Sequence, residues 1–241
     1  MINNNVIKTL DLLDTLVEES IESFVFSSSA AVYGNPDTVL IDEGHRTVPV
    51  NAYGETKLAI ERALLHYGTA YGLRSVSLRY FNAAGADASG TIGEDHNPEV
   101  HLIPRALAAA GDGMLEIFGG DYPTRDGTCE RDYVHVSDLA DAHVLALRRV
   151  ANLQGCSTYN LGNGQGYSVK DVVASVERVT GKSVRQRVSA RRLGDPPSLL
   201  AVSEKARSEL GWAPRFEELD TIIATAWKWH STHPNGYRSQ E

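Results

Sequence analysis

The chain has 241 residues, enough to bury a full core as one large domain or two smaller ones. Its 23 basic and 31 acidic residues leave a net charge of −8, which argues against a nucleic-acid surface as its main business. The two cysteines, Cys129 and Cys156, give no disulfide framework, the opening Met1-Ile2-Asn3-Asn4-Asn5 has no signal-peptide pattern, and no apolar run approaches the ~18 residues of a membrane helix, so a soluble cytoplasmic protein is expected.

Val6, Leu10, Leu13 and Val17 recur at helical spacing and predict an amphipathic helix over 4–19. Phe24-Val25-Phe26 is a short buried-strand signal ending in Ser27-Ser28-Ser29, and a loop with Gly34, Pro36, Gly44 and Pro49 leads to a long helix over 51–71, closed by Gly72. A second strand is predicted at 75–80, a polar, Gly-rich loop at 82–101, and a helix opening near Pro104 and running through Ala110. Further strands are expected at 115–118, 133–136, 158–161 and 184–188, and helices at 138–150, 168–180, 203–210 and 218–231. Strands alternating with helices point to an α/β protein with a mainly parallel sheet.

This sequence carries no glycine-rich turn of the pattern that cradles a dinucleotide pyrophosphate. The nearest candidate, Gly162-Asn163-Gly164-Gln165-Gly166, has its third glycine one position early, with Tyr167 where the motif wants Gly, and reads as an ordinary strand-to-helix turn. Asp95, His96, Glu99 and His101 crowd one loop without a clear ligand spacing, so no metal site is expected there. His135 and His143 read as strand and helix residues.

Tyr53-Gly54-Glu55-Thr56-Lys57 places a phenol and an ammonium four apart on one helix face. A nearby Lys⁺ favours phenolate and brings a phenol closer to service as a general base. The pair alone is also what a surface lysine beside a half-buried tyrosine gives. Ser29, 24 residues before Tyr53, adds a hydroxyl at the carboxyl end of an apolar strand, where ligands bind in this architecture.

Serine, tyrosine and lysine in that order and spacing resemble the triad of short-chain dehydrogenases/reductases. Phe26-Ser27-Ser28-Ser29-Ala30-Ala31-Val32-Tyr33-Gly34 resembles the serine segment of the extended branch, whose members act on nucleotide sugars, and Tyr80-Phe81-Asn82-Ala83-Ala84-Gly85 resembles its turn from nicotinamide to substrate site. The run from Phe118 to Thr128, Arg131-Asp132-Tyr133-Val134-His135-Val136, Tyr159-Asn160-Leu161-Gly162, Arg191-Arg192-Leu193-Gly194-Asp195 and the tail from Trp227 to Tyr237 are similar to the UDP-glucose 4-epimerase family. Related dehydratases carry an acidic pair where this chain has Ala30-Ala31, which argues for epimerisation over dehydration.

The resemblance implies an incomplete Rossmann-type doubly wound parallel sheet, residues 1–82 and 130–162, and a smaller α/β substrate-binding domain, residues 83–129 and 163–241. It implies interconversion of UDP-glucose and UDP-galactose through transient NAD-dependent oxidation at sugar C4. Tyr53 would be the base, Lys57 would lower its pKa and hold the nicotinamide ribose, and Ser29 would bond the reacting oxygen. Asn4 and Phe81 would touch NAD as well. Asn82, Arg131 and Arg192 would grip the UDP phosphates, Asp195 the uridine ribose, and Leu102 and Phe118 would line the uracil. His101 stands where the family often has asparagine. Leu199 stands where a bulkier tyrosine limits the sugar's 2-substituent, so N-acetylated UDP-hexosamines are expected to be accommodated too.

The family's glycine-turn segment is expected to precede this sequence, and the 241-residue chain is expected to be unstable alone. A homodimer paired through helices such as 4–19 and 51–71 is expected of the complete protein. Two other readings stay open, a non-catalytic UDP-sugar-binding remnant and a sibling nucleotide-sugar epimerase or decarboxylase.

Overall fold

The computed structural model describes residues 1–192 and 194–237, and Leu193 of the Arg191–Asp195 string lies outside the described residues. They form two compact units, Met1–Phe81 with Leu139–Gly164 and Leu200–Ala213, and Asn82–Asp138 with Gln165–Leu199 and Pro214 onward.

The first unit opens on a π-type turn, Asn3–Ile7, that runs into α1 (Lys8–Glu18). β1 (Ser23–Ser27) follows, then a short 3₁₀ turn over Ala30–Tyr33, β2 (Leu40–Ile41), α2 (Ala52–Tyr71) and β3 (Arg74–Tyr80). The Asn51 side chain accepts the Gly54 N–H at 2.9 Å and caps the start of α2, while Gly72, at φ 75°, takes the left-handed turn that ends it. Leu13 of α1 and Ile60 and Leu64 of α2 are buried with Phe26 and Leu73, which packs both helices on the strand side. Each such side chain contributes about 1.5–3 kcal/mol by leaving water.

In the second unit come β4 (Asn82–Ala84), α3 (Leu102–Ala109), β5 (Met114–Phe118), β6 (Glu130–Arg131) and β7 (Tyr133–His135). Helix α4 (Val136–Val150) then leads to β8 (Cys156–Leu161) of the first unit. β8 completes a parallel sheet of order β1-β3-β8, with Val25 opposite Val76 and Ser77 opposite Thr158. β9 (Tyr167–Ser168), α5 (Val169–Thr180), β10 (Arg185–Ser189), β11 (Ser198–Ala201) and α6 (Leu219–Thr232) follow. The second unit's core joins α3, α5 and α6 through Leu107, Val172, Val176, Ile222 and Ile223.

The parallel α/β class expected from the sequence is the one observed. Several details differ. The helix expected to hold Pro104 in its first turn begins at Leu102 and ends at Ala109, one residue short of Ala110; a first-turn N–H has no intrahelical partner, so Pro104 loses nothing by lacking one. The stretch 203–210 forms a π-type turn, Ala206–Leu210. Six strands have two to four residues, and of these β2, β4, β6, β9 and β11, which the sequence does not predict, are too short to give a periodicity. The unit bounds also differ from those expected, since 130–138 belongs to the second unit and 200–213 to the first. β11 explains part of this: Leu200 and Ala201 pair with Leu40 and Ile41, whereas Ser198 and Leu199 pair with Glu130 and Arg131.

Candidate active site

Strand β1 ends at Ser27, and the chain turns at once into the 3₁₀ segment, whose N-cap is Ser29. α2 lies directly on this turn. A Cβ built on Gly54 would stand 2.4 Å from the Ala31 carbonyl oxygen, so the glycine inside Tyr53-Gly54-Glu55-Thr56-Lys57 is what lets the helix approach. The approach brings Tyr53 and Lys57 to the strand end.

The Lys57 ammonium donates to the Ser27 carbonyl at 2.8 Å and sits 5.0 Å from the Phe26 ring centroid and 5.6 Å from that of Tyr53. Burial lowers its pKa below the ordinary lysine value. The Tyr53 side chain is partly open, with 37% of the residue exposed, and its hydroxyl is hydrogen-bonded to Ser29. Burial raises the phenol above its ordinary value and the nearby Tyr80 adds to that, while the Ser29 hydrogen bond pulls the other way. This corrects the expected effect of Lys57: the ammonium is engaged by the Ser27 carbonyl, and desolvation dominates at the phenol.

Behind this trio the interior is polar. His143 Nδ1 bonds the Leu139 carbonyl at 2.7 Å and must donate there, so Nε2, 2.8 Å away, accepts from the Ser27 hydroxyl. Ser28 donates to Glu61 at 2.5 Å, and Glu61 holds Arg79 through both carboxylate oxygens. Neither Glu61 nor Arg79 was singled out from the sequence. The available signal is the spacing, since Glu61 falls four residues after Lys57 and eight after Tyr53 on the same helix.

Of the other residues expected at the cofactor, Phe81 is buried just after β3 and its N–H donates to the Leu161 carbonyl at 3.1 Å. Asn4 is exposed; its neighbour Asn5 is the asparagine that bonds α2, through Thr56 Oγ1 at 3.2 Å.

The second unit gathers most of the residues expected to hold a nucleotide. Arg131, on β6, is paired opposite Leu199 and donates to the Pro196 carbonyl at 2.9 Å and to Asp195 at 3.2 Å. The Arg192 guanidinium stacks on the Phe118 ring at 4.0 Å. Asn82 N–H donates to the Asp132 carbonyl at 3.0 Å, one residue beyond Arg131. An aromatic face with a guanidinium on it, at the end of the β5–β10 pair, and a guanidinium–carboxylate pair on the β6–β11 side are groups of the kind that suit a planar base and a diphosphate. Leu102 packs at the margin of the second core, and the His101 side chain turns to Glu94 and Glu99. Among the described residues, no helix is long and apolar enough to cross a membrane.

The model of the NAD dependent epimerase/dehydratase family matches residues 1–162. The UDP-glucose 4-epimerase of Halalkalibacterium halodurans is 51% identical over 240 residues, a match covering 98% of this chain and 72% of that protein. A crystal structure of a UDP-glucose 4-epimerase superposes with a TM-score of 0.93 at 50% identity, covering 99% of this chain and 73% of the other. The Bifidobacterium longum UDP-glucose 4-epimerase, crystallised with NAD+ and UDP, gives a TM-score of 0.91 at 38% identity, covering 98% of this chain and 71% of that one. The chain belongs to the NAD dependent epimerase/dehydratase family.

Proposed function

We propose that this chain is a UDP-glucose 4-epimerase that interconverts UDP-glucose and UDP-galactose with NAD as resident cofactor. The observation that carries the reading is the meeting of Ser29, Tyr53 and Lys57 at the carboxyl end of β1, in a chain half identical to enzymes of that name.

The donor set fits the nicotinamide-ribose end of NAD. Lys57 offers an ammonium with one of its three donors committed to Ser27, beside a half-open phenol and a hydroxyl. Lys57, Tyr53, Ser29 and Phe81, with Asn4, are the residues that would hold it. When bound, NAD supplies an acceptor that takes a hydride from sugar C4 and returns it, so the net reaction is redox-neutral. The chain's own residues manage the proton. Tyr53 takes the proton of the sugar 4-hydroxyl and gives it back, and Ser29 hydrogen-bonds the same oxygen. Lys57 fixes the ribose.

In the second unit Arg192 and Arg131 bind the UDP phosphates with Asn82, Asp195 takes the uridine ribose, and Phe118 and Leu102 flank the uracil. His101 belongs to the loop over the sugar. Leu199 limits the sugar's 2-substituent less than tyrosine would, which extends the substrates to N-acetylated UDP-hexosamines. Pairing of two copies through α1 and α2 belongs to the same reading, and Leu12 and Leu65 stand exposed on those helices. Both cysteines are free thiols, as a reducing cytoplasm keeps them.

The test is to purify the chain, denature it and quantify released NAD by mass spectrometry, alongside turnover of UDP-galactose in a coupled assay. Stoichiometric NAD with turnover is expected. UDP binding without NAD or turnover would mark a nucleotide-sugar-binding remnant instead, and turnover confined to UDP-glucuronate would mark a sibling enzyme.

A further inference from the structure

The loop before α3 brings together Glu94, His96, Glu99 and His101, whose ligand atoms all lie within 4.8 Å of one another. The sequence places Asp95 in this group, but the fold does not. The Asp95 carboxylate turns away to accept the Tyr237 N–H at 3.0 Å, and Glu94 takes its place.

His96 Nδ1 stands 2.8 Å from Glu94 Oε1 and 3.8 Å from Glu99 Oε2. His101 Nδ1 stands 3.4 Å from Glu99 Oε1 and also contacts Glu94 Oε1. Two imidazoles thus aim the same ring nitrogen at one carboxylate oxygen, with their rings 5.0 Å apart and tilted by 56°. A tetrahedral zinc with bonds of about 2.0–2.2 Å separates its ligand atoms by roughly 3.3–3.5 Å. The observed separations lie on both sides of that spacing, so side-chain adjustments of about an ångström would seat an ion.

The frame is fixed from outside the cluster. The Trp229 indole donates to the Glu94 carbonyl at 3.1 Å, and the Tyr237 hydroxyl is bonded to both Gly93 N and Gly93 O at 3.0 and 3.1 Å. The Val100 and His101 N–H groups each donate to Glu99 Oε1 at 2.7 Å, which orients that carboxylate, and His101 is the N-cap residue of α3. Such outer contacts are what hold metal ligands in register.

We propose that Glu94, His96, Glu99 and His101 form a structural site for a divalent transition-metal ion of the zinc class, clamping the loop to the start of α3. Imidazole suits zinc, cobalt and nickel, and two carboxylates balance the ion's charge. Each imidazole binds through Nδ1 in its neutral form, with its proton on Nε2. None of its ligands belongs to the Ser29, Tyr53 and Lys57 trio; His101 also belongs to the loop assigned above to the sugar, so the test reads metal binding and unfolding rather than turnover.

The test is isothermal titration of the metal-stripped full chain with zinc chloride, with cobalt(II) as a spectroscopic probe. One equivalent is expected to bind, with a visible cobalt absorption and a rise in the unfolding midpoint. His96→Ala, a half-exposed position, should weaken binding at least ~10-fold, and the His96→Ala/His101→Ala double should abolish it. His66→Ala, exposed on α2, should change nothing. A chain that takes up no zinc overturns the proposal, and so does unchanged binding in a folded His96→Ala/His101→Ala double.

Discussion

Arg79 and Glu61 form a two-pronged ion pair inside the first unit, Nε to Oε1 at 2.9 Å and Nη2 to Oε2 at 2.6 Å, with both side chains less than a tenth exposed. Arg79 also donates to the Tyr33 hydroxyl at 2.9 Å, Tyr33 donates to Asn160 at 2.7 Å, and Asn160 donates to the Ile41 carbonyl at 2.9 Å. Through Ser28 the same network fixes the turn that presents Ser29. Burial opposes the guanidinium's charge, yet the Glu61 hydrogen bonds and charge keep its pKa above the ordinary arginine value.

Replacing Glu61 by Gln leaves that buried cation without its counter-charge. The expected loss is about 3–5 kcal/mol of stability, read from urea unfolding midpoints. The Glu61→Leu/Arg79→Met double should lose less than the single change, since it removes both charges together. A single variant as stable as the parent would show that the pair is not what holds the turn.

Tyr53→Phe removes the hydroxyl proposed as the proton acceptor without altering the ring that packs beside Lys57. Turnover of UDP-galactose should fall about 10²–10⁴-fold with bound NAD retained. On the proposed mechanism Ser29→Ala removes one hydrogen bond to the reacting oxygen and should cost about 10-fold. Equal turnover in Tyr53→Phe would move the base elsewhere.

His135 contributes to the pH dependence of the second unit. Its Nδ1 accepts from the Ser137 N–H at 3.1 Å, which leaves Nε2, 3.0 Å from Thr225 Oγ1, as the protonated nitrogen, and the ring stacks on Phe216. Burial lowers its pKa; Asp138 and Asp87 oppose this and Arg215 adds to it. Below its ordinary value of about 6.5 the unfolded chain therefore binds a proton that the folded chain resists. Stability should be fullest above that pH and decline as pH falls through it towards the folded value. In unfolding midpoints measured at pH 7.5 and 5.5, His135→Gln should show a smaller decline than the parent.

Leu199 stands opposite Arg131 in the short β6–β11 pair. Leu199→Tyr should lower kcat/KM for UDP-N-acetylglucosamine about 10–100-fold while leaving UDP-glucose nearly unaffected. Equal losses on both substrates would mean that this position does not sense the 2-substituent.

The helices, the long strands and the parallel α/β class are legible in the sequence because they rest on local rules. Asn51 and Gly72 mark the ends of α2, and Ser168 with Asp171 forms a capping box at α5, all within a few residues of chain. The spacing of Tyr53 and Lys57 likewise places both on one face of one helix. Tertiary structure decided the rest. It turned the Asp95 side chain away from the histidine cluster and Glu94 into it, joined Glu61 to Arg79, and split β11 between two units. It also set the phenol of Tyr53 above its ordinary pKa, where the sequence pattern had suggested a lowered one. Each outcome depends on which distant groups meet and how much water they exclude, and neither quantity is written in residue spacing.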